Sequence, residues 1–183
     1  MYLFIKSQEK YKMASPPFWS SKLADPKRNY RWVFLMQGTQ PFTCKSVTKP
    51  SYTVGQSDLK YLDHTFKFPT VLTWNDCTVT FHDPGGGPGN DATDEFVNKL
   101  KTSGYFYPND PTELSTISRD KSIIALGEPQ IMQLNSDGEP IEIWTLHNAW
   151  IKSATFGNLA YANDDTVELS IVLVYDFATI EVQ

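Results

Sequence analysis

The stretch Asn148–Asp165, NAWIKSATFGNLAYANDD, decides how this chain is read. It sits where two runs that alternate as strands meet, IEIWTLHNAWIK on its N-terminal side and TVELSIVLVYDF on its C-terminal side. It holds apolar residues and the adjacent carboxylates Asp164 and Asp165, but no nucleophile motif, metal set or phosphate loop. Neighbouring side chains on an extended chain point to opposite sides, so the two aspartates are poorly placed as an acid–base pair. In a turn they solvate or cap it. The residues alone leave open what such a segment is for, if not chemistry.

Outward from it, the chain is mostly strand. The C-terminal run is read as one strand with Val167, Leu169, Ile171, Leu173, Tyr175 and Phe177 on one face. Its other face is polar at Thr166, Glu168 and Ser170, then apolar at Val172 and Val174, and that second half needs cover. Upstream, YRWVFLM reads as a buried strand, and PFTCKSVTK follows a turn at Gly38 as the second arm of a hairpin. YLDHTFKF alternates, with Leu62, His64, Phe66 and Phe68 on one face and Tyr61, Asp63, Thr65 and Lys67 on the other. DCTVTFH places Cys77, Val79 and Phe81 inward. GEPQIMQLN and the IEIW run flank a turn at SDGEP. DPGGGPGN is a loop, and DATDEFVNKLKTSG is the one helix, capped by Asp91 or Thr93, with Gly104 fit to end it. YFYPNDPTELSTISRD reads as loop. The sum is about seven strands, mainly antiparallel, as a sandwich or barrel with one flanking helix.

The 183 residues are 40% hydrophobic with a net charge of −5, which suggests one domain with its own core. Residues 29–183 form that domain. Residues 1–28 read as an extended arm, because ASPPFWSSKLADPKRN carries three prolines and no periodicity. Phe18, Trp19 and Leu23 have no core in that segment and are the arm's candidate contacts. A general nucleic-acid binder is basic, and this chain is acidic. Cys44 and Cys77 form no CxxC pair and read as reduced, buried thiols. MYLFIKSQEKYK lacks the long apolar stretch of a signal peptide, and no run approaches a membrane span, so a soluble protein of the cytoplasm is expected. His64, His82 and His147 fall on three separate strands and give no metal-ligand spacing. No metal or cofactor is expected, and no enzyme.

The C-terminal third resembles the tail tube proteins of contractile-tailed bacteriophages, relatives in fold of pyocin and type VI secretion tube proteins. The resemblance rests on Ala149, Trp150, Ile151, Phe156, Gly157, Leu159, Tyr161, Asp164, Asp165, Tyr175, Asp176 and Phe177. TWNDCTVTFHDP, the helix after it and the opening RWVFLMQGTQPFTCKSVTKP follow the same family order, so the likeness covers roughly residues 28–181. It implies a structural virion protein that forms hexameric rings, with strands joining across neighbours into a multi-subunit barrel. Stacked rings would make a tube whose lumen conducts DNA without binding it. The implied partners are the chain itself, the tail sheath, and baseplate and terminator proteins. The implied place is the virion, after assembly in the host cytoplasm, with no membrane. The motif residues, Ala149 to Tyr175, would form the subunit contact. In such a ring the polar face of YLDHTFKF, with Asp63, Thr65 and Lys67, would line the lumen; the same alternation also fits an outer solvated face. The aromatic arm and the expanded glycine loop also fit a baseplate initiator or tail terminator paralogue. A reading from another class is a monomeric barrel that binds a small ligand.

Overall fold

The computed structural model describes residues 26–85, 91–108, 114–161 and 165–183. Phe18, Trp19, Leu23 and Asp164, and most of the glycine run, lie outside the described residues. The elements in chain order are β1 (Trp32–Leu35), a 3-10 turn (Pro41–Thr43), β2 (Cys44–Val47), β3 (Tyr52–Tyr61), β4 (His64–Trp74), β5 (Cys77–His82), α1 (Ala92–Thr102), α2 (Arg119–Leu126), β6 (Gln130–Leu134), β7 (Pro140–His147), β8 (Trp150–Thr155), β9 (Glu168–Val174) and β10 (Phe177–Val182).

Two four-stranded antiparallel sheets face each other. The first runs β1-β6-β7-β10, the second β2-β5-β9-β8, and β3-β4 forms a separate two-stranded hairpin. Alternation explains the core between them. Phe34 and Ile131 pair across β1 and β6, while Cys77, Val79 and Phe81 pair with Leu173, Ile171 and Leu169 across β5 and β9. All eight are at most 1% exposed. Phe34 and Phe81 meet edge to face between the sheets. α1 adds Phe96, whose ring lies 5.3 Å from that of Phe81, and α2 adds Leu126. Burying each such side chain stabilises the fold by about 1.5–3 kcal/mol.

The helix termini follow from side-chain chemistry. Asp91 accepts from the Thr93 N–H at the start of α1, and Ser118 accepts from the Lys121 N–H at the start of α2. Lys99 is nearly buried and donates to the carbonyls of Gln37 and Ala125, tying α1 to the turn after β1 and to the end of α2.

Several expectations are corrected. Among the described residues there are two α-helices rather than one: Arg119–Leu126 is helical, although YFYPNDPTELSTISRD reads as loop. The same residues form ten strands rather than about seven. β1 and β2 are not a hairpin; β1 pairs with β6, and the link after it crosses to the other sheet. YLDHTFKF is not one strand, because Leu62 and Asp63 are the turn between β3 and β4, with Leu62 at φ 52. IEIWTLHNAWIK is split between two sheets at Asn148, and the final run is split at Tyr175–Asp176. Phe177 is therefore not on the buried face of β9, and is 45% exposed. The two sheets form a sandwich and do not close into a barrel.

Candidate assembly surfaces

The motif Asn148-Ala149-Trp150 makes a corner. β7 ends at His147 and β8 begins at Trp150 in the opposite sheet, while β9 ends at Val174 and β10 returns to the first sheet at Phe177. Both crossings take two residues, and they lie side by side: the Asp176 N–H donates to the His147 carbonyl at 3.1 Å. Asn148 adopts φ 55, a left-handed conformation that asparagine tolerates better than most residues. Its Nδ2 donates to Asp176 Oδ2 at 2.7 Å, and Arg119 from α2 pairs with the same oxygen. Ala149 is fully buried, and Tyr175 nearly so, packed on Trp74 with ring centroids 6.0 Å apart. Burial pushes the Tyr175 phenol up to about 12. Its buried hydroxyl faces the Ser51 backbone but meets no partner at full hydrogen-bond geometry among the described residues.

The remaining motif residues do not gather with these. Ile151 packs on the core. Trp150 and Phe156 border a groove between the helices and β8. Gly157 stands at φ +77, where a Cβ would come within 2.6 Å of the Glu168 carbonyl oxygen, so the loop passes the start of β9 too closely for any other residue. Leu159, Tyr161 and Asp165 are exposed.

The hairpin β3-β4 is exposed along nearly its whole length. Its register places Tyr52, Val54, Leu72 and Trp74 on one face near the base. The rings of Tyr52 and Trp74 stack edge to face at 5.7 Å, and Trp74 leads on to Tyr175. Between Val54 and Gln56 the register shifts, because Thr70 and Val71 together oppose Gly55. Such a bulge reverses the phase of the longer strand. Beyond it, Gln56, Asp58, Lys60, Thr65, Lys67 and Pro69 occupy the face that was apolar at the base. Leu59, Tyr61, His64, Phe66 and Phe68 emerge on the opposite face. Leu59 is 57% exposed, Tyr61 66%, and Phe66 and Phe68 50% each. These side chains are neighbours on one face of the hairpin and stand open to solvent. Of the three lumen candidates, Thr65 and Lys67 share the polar face, opposite Lys60 and Asp58, and Asp63 sits in the turn at the tip.

Sequence reasoning missed one site-shaping group, Glu142. It is 5% exposed and accepts from Lys27, from Lys49 at 2.8 Å and from Trp144 Nε1. Burial pushes its carboxyl up, but the three donors and the Lys49 charge outweigh this and hold it at about 2. The clamp fixes the first described residues and the segment leading into the hairpin against β7. The signal was present: Glu142 is in phase with the buried Leu146 along β7.

Two of the three histidines have partners of their own, while His64 is exposed at the start of β4. His82 Nδ1 meets the Thr166 hydroxyl, and His147 stacks on Phe177 at 4.6 Å and meets Thr179. Among the described residues no group of three or more His, Cys, Asp or Glu could hold a metal ion, and no helix is long and apolar enough to cross a membrane. Burial pushes the thiols of Cys44 and Cys77 up to about 12 each, far from the range of a reactive cysteine.

No family model and no curated protein matches the chain. Solved structures do. A structure titled as the sheath/tube terminator of an extracellular contractile injection system, PVC, in its extended state, aligns over 86% of this chain and 97% of its own, with TM-score 0.62 and 16% identity. The tube-terminating cap of the anti-feeding prophage aligns over 87% and 93%, with TM-score 0.61 and 18% identity. A chain of the same prophage's baseplate aligns over 86% and 96%, with TM-score 0.59 and 16% identity. The sandwich described here is thus a fold found in contractile injection systems.

Proposed function

We propose that the chain is a structural subunit of a contractile phage tail tube, assembling into hexameric rings that stack around a DNA-conducting lumen. The observation that carries this reading is the hairpin tip: Leu59, Tyr61, Phe66 and Phe68 form an exposed apolar face that nothing among the described residues covers. Four large side chains left in water cost several kcal/mol that a neighbouring copy recovers. The shared fold supports the reading, and so does the chain's composition. A net charge of −5 keeps a passing polyanion from adhering. On the polar hairpin face Asp58 lies opposite Lys67, so that face offers phosphate no continuous positive track.

Sedimentation velocity of the full chain and of the double variant Phe66→Asp, Phe68→Asp tests it. Both residues are half exposed, so the variant should keep its circular dichroism and thermal midpoint. The native chain should sediment as rings or larger, and the variant as a monomer. A native chain that stays monomeric at high concentration overturns the proposal.

The baseplate initiator or tail terminator reading is favoured by one specific observation. Cap, terminator and baseplate structures align as fully as the sheath–tube complex, whose TM-score is 0.58. A single ring that never elongates in micrographs would select it.

A further inference from the structure

β8 is the last strand of its sheet among the described residues, so one main-chain edge is unpaired. A groove of about 520 Å³ runs along that edge, walled by Leu100, Tyr107 and Ile117. The five consecutive residues Trp150 to Ala154 all line it. Side chains alternate across a strand, so consecutive residues line one groove only where the backbone itself is open to it. Ala154 pairs with the buried Ile171 and shares its core-facing side, yet is exposed. The core therefore stops short of the end of β8 and leaves an apolar trough beside free N–H and C=O groups. That combination suits an added extended strand carrying large apolar side chains.

The chain contains such a segment. PPFWSSKL, residues 16–23, combines two prolines, which favour extended backbone, with Phe18, Trp19 and Leu23. The described chain enters across the end of the sandwich, from Glu142 on β7 to the β1–β2 flank. Lys27 is held by Glu142, and Asn29 and Tyr30 border the cleft between β1 and β2 with Trp32 and Lys45. β1 and β2 are the edges of the two sheets on one flank, and β8 and β10 are the edges on the other. When copies stand side by side in a ring, the first flank of one meets the second flank of the next. The eight residue steps from Pro26 back to Phe18 span about 26 Å when extended, enough to leave the subunit.

We infer that residues 18–23 of one copy add to the free edge of β8 in the next copy and seat Phe18 and Trp19 in the groove between β8 and the two helices. This rests on the ring reading above and specifies which surfaces make a lateral contact. An arm exchanged around a ring links each subunit to its neighbour without enlarging either interface core.

The test mixes two full-length single variants, Trp19→Cys and Ala154→Cys, under mild oxidation, with sedimentation of the same sample. Cys77 is buried and Cys44 half-buried, so every chain in the test carries Cys44→Ser to keep the native thiol out of the reaction. A disulfide-linked pair should appear in the assembled fraction, at least about tenfold above a control that pairs Trp19→Cys with Leu159→Cys. Adding Leu100→Glu to the Ala154→Cys chain places a charge in the trough and should cut the yield at least about tenfold. Leu100 is 43% exposed, so this change leaves the fold intact. Assembled rings without the cross-link overturn this inference and leave the ring reading standing, with the groove then covered by another part of the neighbour. An intrachain disulfide in the Trp19→Cys, Ala154→Cys double variant, with no interchain product, also overturns it. A chain that is only monomeric overturns both.

Discussion

Glu142→Gln removes the charge that anchors the hairpin base and the start of the described chain. The carboxylate is almost buried and takes hydrogen bonds from Lys27, Lys49 and Trp144. Its pKa stands at about 2 against an ordinary 4.5. At 1.36 kcal/mol for each pH unit, that gap is worth about 3 kcal/mol at neutral pH. The Lys27 and Lys49 side chains are 53% and 42% exposed, so water screens the pair and about 1–2 kcal/mol is expected. For a chain of this size that lowers the thermal midpoint by about 2–8 °C at pH 7. The folded-state pKa is lowered, so the contribution is complete above pH 4.5 and is lost as pH falls through about 2. Thermal unfolding of the native chain and of Glu142→Gln should differ most at neutral pH, with the gap narrowing steadily between pH 4.5 and pH 2. Equal midpoints at pH 7, or a gap that does not change with acid, would refute the reasoning.

Gly55→Ala places a Cβ 2.5 Å from Thr70 Oγ1 and should speed amide exchange across β3 and β4, with Thr70→Ala in the same chain restoring protection. Asn148→Val puts a β-branched residue at φ 55 and should cost about 1–3 kcal/mol in denaturant titration, whereas Asn148→Gly should cost far less. The cysteines should stay reduced in the folded protein. Cys44 stands opposite Phe81, four residues along β5 from Cys77, about 13 Å away and beyond disulfide reach. Thiol titration at pH 8 should detect Cys77 only on unfolding and the half-buried Cys44 before it, and an oxidised native mass lighter by two hydrogens would contradict the register.

β5 was legible because Cys77, Val79 and Phe81 alternate cleanly and nothing interrupts the period. α1 was legible from Asp91, its first-turn acids and Gly104. The two corners were not, because apolar periodicity runs straight through Asn148 and Asp176 while the backbone changes sheet. Nothing in the side-chain sequence marks that turn except an asparagine tolerant of positive φ. The hairpin was hidden for a related reason. Its turn is Leu62–Asp63, without the glycine or asparagine that usually signals one, and the bulge at Gly55 moves the apolar set to the other face, so no single alternation describes it. α2 is only eight residues and weakly amphipathic, though Ser118 and Gly127 bracket it as cap residues should. The motif Ala149 to Tyr175 was visible, but part of it is spent on the chain's own corner. The exposed surfaces lie at Leu59 to Phe68 and along β8, where exposure depends on pairing partners that a sequence does not show.

Negative-stain electron microscopy of the purified full chain shows ring assembly itself. Six-fold rings or stacked tubes with an open lumen are expected. A field of single, featureless particles of one chain's mass at the same concentration would contradict it.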